Sequence, residues 1–89
     1  MGSLPIRVTL VTAPDCHLCA HARQVLARLA REHPLAVEEL AWNDPAAAAR
    51  LERDGVPFPP ALYVEDELWG YGRLSEGRLR RLLARGGAR

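Results

Sequence analysis

The clearest pattern lies near the start of the chain, where Ile6-Arg7-Val8-Thr9-Leu10-Val11-Thr12 is largely β-branched and mostly apolar at both odd and even positions. Such a run predicts a strand buried on both faces and placed centrally in a sheet. It breaks at Ala13-Pro14-Asp15, and the spacing then becomes helical. Ala22, Val25, Leu26 and Leu29 form one apolar stripe, with Arg23, Arg28, Arg31 and Glu32 on the far side. Asp15 is the expected N-cap of this helix and Pro34 its expected stop. A second strand is expected near Ala36 to Ala41, and the resulting βαβ unit places the two strands parallel. Asn43-Asp44-Pro45 then reads as a cap with proline at the first helical position, opening a short helix over Ala46 to Arg53 that stops at Gly55.

Val56-Pro57-Phe58-Pro59-Pro60 suits neither a helix nor an interior strand and reads as a stiff connector. Ala61 to Val64 and Glu67 to Tyr71 are two short strands separated by Glu65-Asp66, a hairpin spacing whose turn lacks glycine. Ser75 caps a last helix with Leu79, Leu82 and Leu83 on one face, ended by Gly86-Gly87. The predicted order is β-α-β-α-β-β-α. An α/β fold with a four-stranded mixed sheet and helices on both faces buries every apolar stripe.

The length of 89 residues suits one domain spanning 1–89, with its core at about 6–85 and flexible ends at 1–5 and 86–89. Apolar residues make up 48% and charged ones 26%, which excludes a disordered chain. No apolar run approaches membrane-spanning length. The N-terminus lacks the basic start and long apolar centre of a secretory signal, and Ile6 breaks the myristoylation pattern begun by Gly2, so a cytoplasmic protein is expected. All twelve basic side chains are arginines, which removes Schiff-base chemistry and a P-loop lysine. The net charge of +1 gives no general attraction to nucleic acid or anionic membranes, and a monomer is expected.

The two cysteines of the chain stand as Cys16-His17-Leu18-Cys19, where a strand ends and a helix begins. A thiol at a helix N-terminus meets unpaired backbone N–H groups and the positive end of the dipole, both of which favour a thiolate. Cys16 is the candidate nucleophile, near the surface, and Cys19, one turn later, points inward as the resolving thiol. Protonated His17 favours the Cys16 thiolate, whereas the charge of Asp15 opposes it. His17 and His21 add two borderline metal donors, but one short helix does not easily wrap four ligands around one ion, so no metal is expected. Ala20 after Cys19 rules out the c-type haem pattern.

From about Ile6 to Leu83 the chain resembles a small thioredoxin-fold protein of the glutaredoxin type. The stretch Thr12 to Cys19 is similar to a bacterial glutaredoxin-like group carrying C-H-L-C. The resemblance implies a cis-proline at the start of the third strand, facing the cysteines and pairing with bound peptide or glutathione. Pro60 is the matching position, Pro59 supplies the preceding carbonyl, and Pro57 is the alternative. Gly70-Tyr71-Gly72 resembles the glycine turn after the fourth strand that contributes to glutathione binding, with Gly70 and Tyr71 as candidate substrate contacts. The motif departs from the C-P-Y-C of many glutaredoxins at His17 and Leu18, and Arg73 stands where they carry acidic residues. Phe58, Tyr63, Trp69 and Tyr71 are candidates for an apolar rim beside the proline, with at least two of them expected in the core.

The implied activity is thiol–disulfide exchange through Cys16 and Cys19 with no required cofactor. The implied partners are a disulfide-containing protein or a glutathione mixed disulfide and a reducing thiol system, with glutathione as a candidate reductant. Two readings from other classes use the same residues: a peptide- or protein-binding module without turnover, and a metal or iron–sulfur holder using Cys16 across a dimer.

Overall fold

A computed structural model describes residues 4–86. It contains β1 (Ile6–Thr12), α1 (His17–Leu29), β2 (Leu35–Ala41), α2 (Pro45–Arg53), β3 (Ala61–Val64), β4 (Glu67–Tyr71) and α3 (Glu76–Ala84). The sheet order is β2-β1-β3-β4. β1 runs parallel to β2 and antiparallel to β3, and β3 pairs antiparallel with β4. The central placement of β1 follows from its composition, since a strand apolar on both faces has no side to offer water.

Alternation along β1 and β3 divides the core in two. Ile6, Val8, Leu10, Leu62 and Val64 pack with Ala22, Val25, Leu26 and Leu29 of α1 and with Leu79, Leu82 and Leu83 of α3. Val11, Ala61 and Tyr63 point the other way and pack with Ala47 of α2. The short, alanine-rich α2 covers this face together with Val56 of the connector that follows it.

Local chemistry explains most boundaries. Asp44 accepts a 2.9 Å hydrogen bond from the Ala46 N–H, and Ser75 accepts one from the Arg78 N–H at 3.3 Å, as expected of N-caps. The glycine-free turn is made by Glu65 and Asp66, with φ of 50° and 68°. Arg7 on β1 holds both turn carboxylates at 3.0 Å. Two expectations need correction. The cap of α1 is Cys16 rather than Asp15, which adopts φ 53° in the preceding turn. The helix also ends at Leu29, before the expected stop at Pro34, because residues 30–33 tighten into turns on the last carbonyls. Gly86, at φ 76°, closes α3. Of the ends expected to be flexible, residues 1–3 and 87–89, including Gly87 of the expected helix stop, lie outside the described residues.

An ion-pair ladder ties α3 to α1: Arg28 to Glu76 at 2.7 Å, Glu76 to Arg80 at 3.1 Å, and Arg80 to Glu32 at 2.9 Å. Arg28, and after it Arg80, holds the Glu76 carboxyl at about 2, below its ordinary 4.5. A carboxyl depressed on folding contributes stability that is complete above its unfolded value and is lost as pH falls through the folded one. Glu76→Gln should therefore melt a few degrees below wild type at neutral pH. Thermal melts should show that gap closing between about pH 4.5 and 2. A gap that stays constant over this range would contradict the assignment.

Candidate active site

The end of the sheet where β1 hands over to α1 gathers the residues singled out in the sequence. β1 finishes at Thr12, the chain turns through Asp15, and Cys16 enters the helix with extended backbone angles of φ −118° and ψ 107°. Its sulfur accepts the Cys19 N–H at 3.1 Å, so a thiol sulfur occupies the position an oxygen cap would take. Cys16 and Cys19 form a disulfide across a Cα–Cα distance of 5.2 Å. Cys16 is half-buried and Cys19 has no exposure, which gives the two sulfurs unequal access. No acidic residue lies in the first turn of α1 to oppose a negative sulfur. His17 and Asp15 are both exposed beside the pair.

The register brings the proline cluster to the same end. Val11 pairs with Ala61, so Pro60 stands one step further along, level with the end of β1. The Pro59–Pro60 peptide bond is cis, in line with the resemblance, and Pro60 is fully buried while Pro59 is half-buried. The Gly72 N–H donates to the Pro60 carbonyl at 2.7 Å, and Tyr71 pairs with Ala61, which fixes the end of β4 beside the proline. Pro57 is exposed in the connector.

The four aromatics divide. Phe58 and Tyr71 are 50% and 45% exposed and meet edge to face at 5.6 Å between ring centroids, forming a rim at this end. Tyr63 is fully buried on the α2 face, where burial and then Asp54 push its hydroxyl up to about 12. Trp69 is half-buried against the α1 and α3 side of the core, with Arg78 over its ring. Gly70 and Tyr71 both lie within β4, opposite Leu62 and Ala61, so of the three residues expected at the turn only Gly72 is in it. Gly72 has φ 73°, and a Cβ there would stand 3.2 Å from Phe58 Cε1. Sequence reading grouped the two glycines together; the signal separating them is that a strand of five residues from Glu67 already consumes Gly70.

His21 on α1 keeps a buried Nδ1 without a partner. Among the described residues no group of three or more His, Cys, Asp or Glu side chains is placed to hold a metal ion. Also among these residues, no helix is long and apolar enough to cross a membrane.

Several solved structures share this architecture. A threonine-to-alanine mutant of a thioredoxin-like protein is 26% identical over 85% of this chain and 97% of its own, with a TM-score of 0.64. A mutant thioredoxin from Halobacterium salinarum is 21% identical over 90% of this chain and 73% of its own, at 0.66. Glutaredoxin 1 from Francisella tularensis, complexed with cacodylate, is 17% identical over 90% and 94%, at 0.58. No family model and no curated protein matches the chain. The chain has the thioredoxin fold. It carries a Cys-x-x-Cys disulfide at the start of its first helix.

The contrast between the two glycines is measurable. Gly72→Ala should destabilise the protein by roughly 1–2 kcal/mol in urea unfolding, because it forces a left-handed Cβ against Phe58. Gly70→Ala, with open space around it, should change stability by less than about 0.5 kcal/mol. Equal losses would contradict the roles given to these positions.

Proposed function

We propose that the protein is a glutaredoxin-like thiol–disulfide oxidoreductase that uses Cys16 as nucleophile and Cys19 as resolving thiol. The observation that carries this reading is the Cys16 sulfur itself. It caps α1, accepts a helix N–H at 3.1 Å, and is half-exposed, while its partner one turn later is buried. In the reduced protein the same N–H and the helix dipole favour the thiolate over the thiol.

The Cys16 thiolate attacks one sulfur of a substrate disulfide, forming a mixed disulfide and releasing the other substrate sulfur as a thiolate that takes a proton. Cys19, deprotonated, then attacks the Cys16 sulfur and releases the second substrate thiol. Two electrons pass to the substrate and the Cys16–Cys19 disulfide remains. A thiol reductant, with glutathione the candidate, returns the pair to the dithiol state. Pro59 and Tyr71 line the approach, with the buried Pro60 fixing the backbone beside it and Gly70 the strand behind Tyr71, and His17 and Asp15 adjust the charge beside Cys16. No metal or organic cofactor enters the scheme, and the cytoplasm, where thiol reductants are abundant, is the proposed compartment for a monomeric protein.

Cys16→Ser should lower disulfide-reductase turnover by at least about a hundredfold. Cys19→Ser should instead accumulate a covalent adduct with the substrate at Cys16, read as a mass increase that a thiol reductant removes. Full turnover by Cys16→Ser would overturn the assignment.

A further inference from the structure

Five large apolar side chains of the described residues are notably exposed: Leu4, Val37, Trp42, Phe58 and Tyr71. Three of them, all aromatic, lie at the sheet end that carries the disulfide. Trp42 follows β2, and its N–H donates to the Thr12 carbonyl at 2.8 Å, which fixes it one step past the last residue of β1. Phe58 precedes the cis-proline, and Tyr71 closes β4 against it. Since the strand order is β2-β1-β3-β4, Trp42 stands on one side of the β1 end and the Phe58–Tyr71 pair on the other. Exposed aromatics cost solvation free energy, and a group of them at a reactive centre marks a contact surface.

We propose that these aromatics select protein disulfides whose cysteine is bracketed by apolar side chains two residues before and two residues after it. This rests on the oxidoreductase reading above and names its substrate class. The spacing follows from strand geometry. Three strand intervals of about 4.8 Å separate β2 from β4, roughly 14 Å, which an extended segment of four or five residues spans. In such a segment alternate side chains face the same way, so a cysteine directed at Cys16 directs its second neighbours on either side toward the same surface. Apolar groups there cover Trp42 and the Phe58–Tyr71 pair. Glutathione, an anion without an apolar side chain, has nothing to place on either.

The test compares two uncharged, disulfide-linked peptides, Leu-x-Cys-x-Leu and Ser-x-Cys-x-Ser, with hydroxyethyl disulfide as a small-molecule probe. The reduced wild-type protein should favour the leucine peptide by about tenfold in kcat/KM. Trp42→Ser and Phe58→Ser should each bring that ratio severalfold closer to one. Equal kcat/KM for the two peptides in wild type would overturn the inference and leave the oxidoreductase reading standing, as would variants that keep the wild-type ratio. Failure of the wild type to reduce any of the three disulfides would overturn both.

Discussion

Everything in this fold depends on the burial of β1 on both faces and its pairing on both edges. Val8, Leu10 and Val11 are almost completely buried, two of them against α1 and α3 and the third against α2. A strand held from four sides has one free direction, along its axis, and the chain leaves there as the loop into α1. The position of Cys16 is therefore set by the most constrained element of the molecule. The same pairing brings Pro60 and the end of β4 level with that loop, because antiparallel register with β1 leaves no slack in where β3 begins.

The site adds local chemistry to this placement. A helix must begin where the strand stops, and its first N–H groups need acceptors. Here one acceptor is the Cys16 sulfur, so the requirement that starts the helix is the same one that favours a reactive thiolate. Cys19 lies on the buried stripe with Ala22 and Leu26, which holds it under Cys16 and away from competing partners. Elsewhere α3 is joined to α1 both by leucines and by the Arg28–Glu76–Arg80–Glu32 ladder, at the side of the helix remote from its first turn.

The main elements were legible in the sequence because period and punctuation agreed. The strands Ala61–Val64 and Glu67–Tyr71, the Asp44 and Ser75 caps and the central position of β1 all follow from apolar spacing bounded by turn residues. The cap of α1 was less legible. Asp15 is a strong capping residue, but the turn leaving β1 puts it at positive φ, and the helix starts one residue later on a sulfur. Tyr63 and Trp69 looked equivalent to Phe58 and Tyr71, since sheet face and strand position, rather than residue type, decide which ring reaches solvent. The prominence of Trp42 was hidden for a related reason. It lies one step past β2, and only the parallel register with β1 shows that this step ends beside Thr12. The strand bounds Glu67 to Tyr71 already set Gly70 apart from Gly72, whereas the closeness of Phe58 to Gly72 shows only in the fold.

In the proposed function Cys16 and Cys19 form a reversible, working dithiol–disulfide couple. Equilibrating the protein in glutathione buffers of varied ratio, then trapping free thiols by alkylation and reading the mass, tests it most directly. Such a couple gives a single reversible two-electron transition in which both cysteines change together, with a midpoint at roughly −270 to −120 mV. A pair that forms no intramolecular disulfide at any ratio, or that stays oxidised throughout, would contradict it.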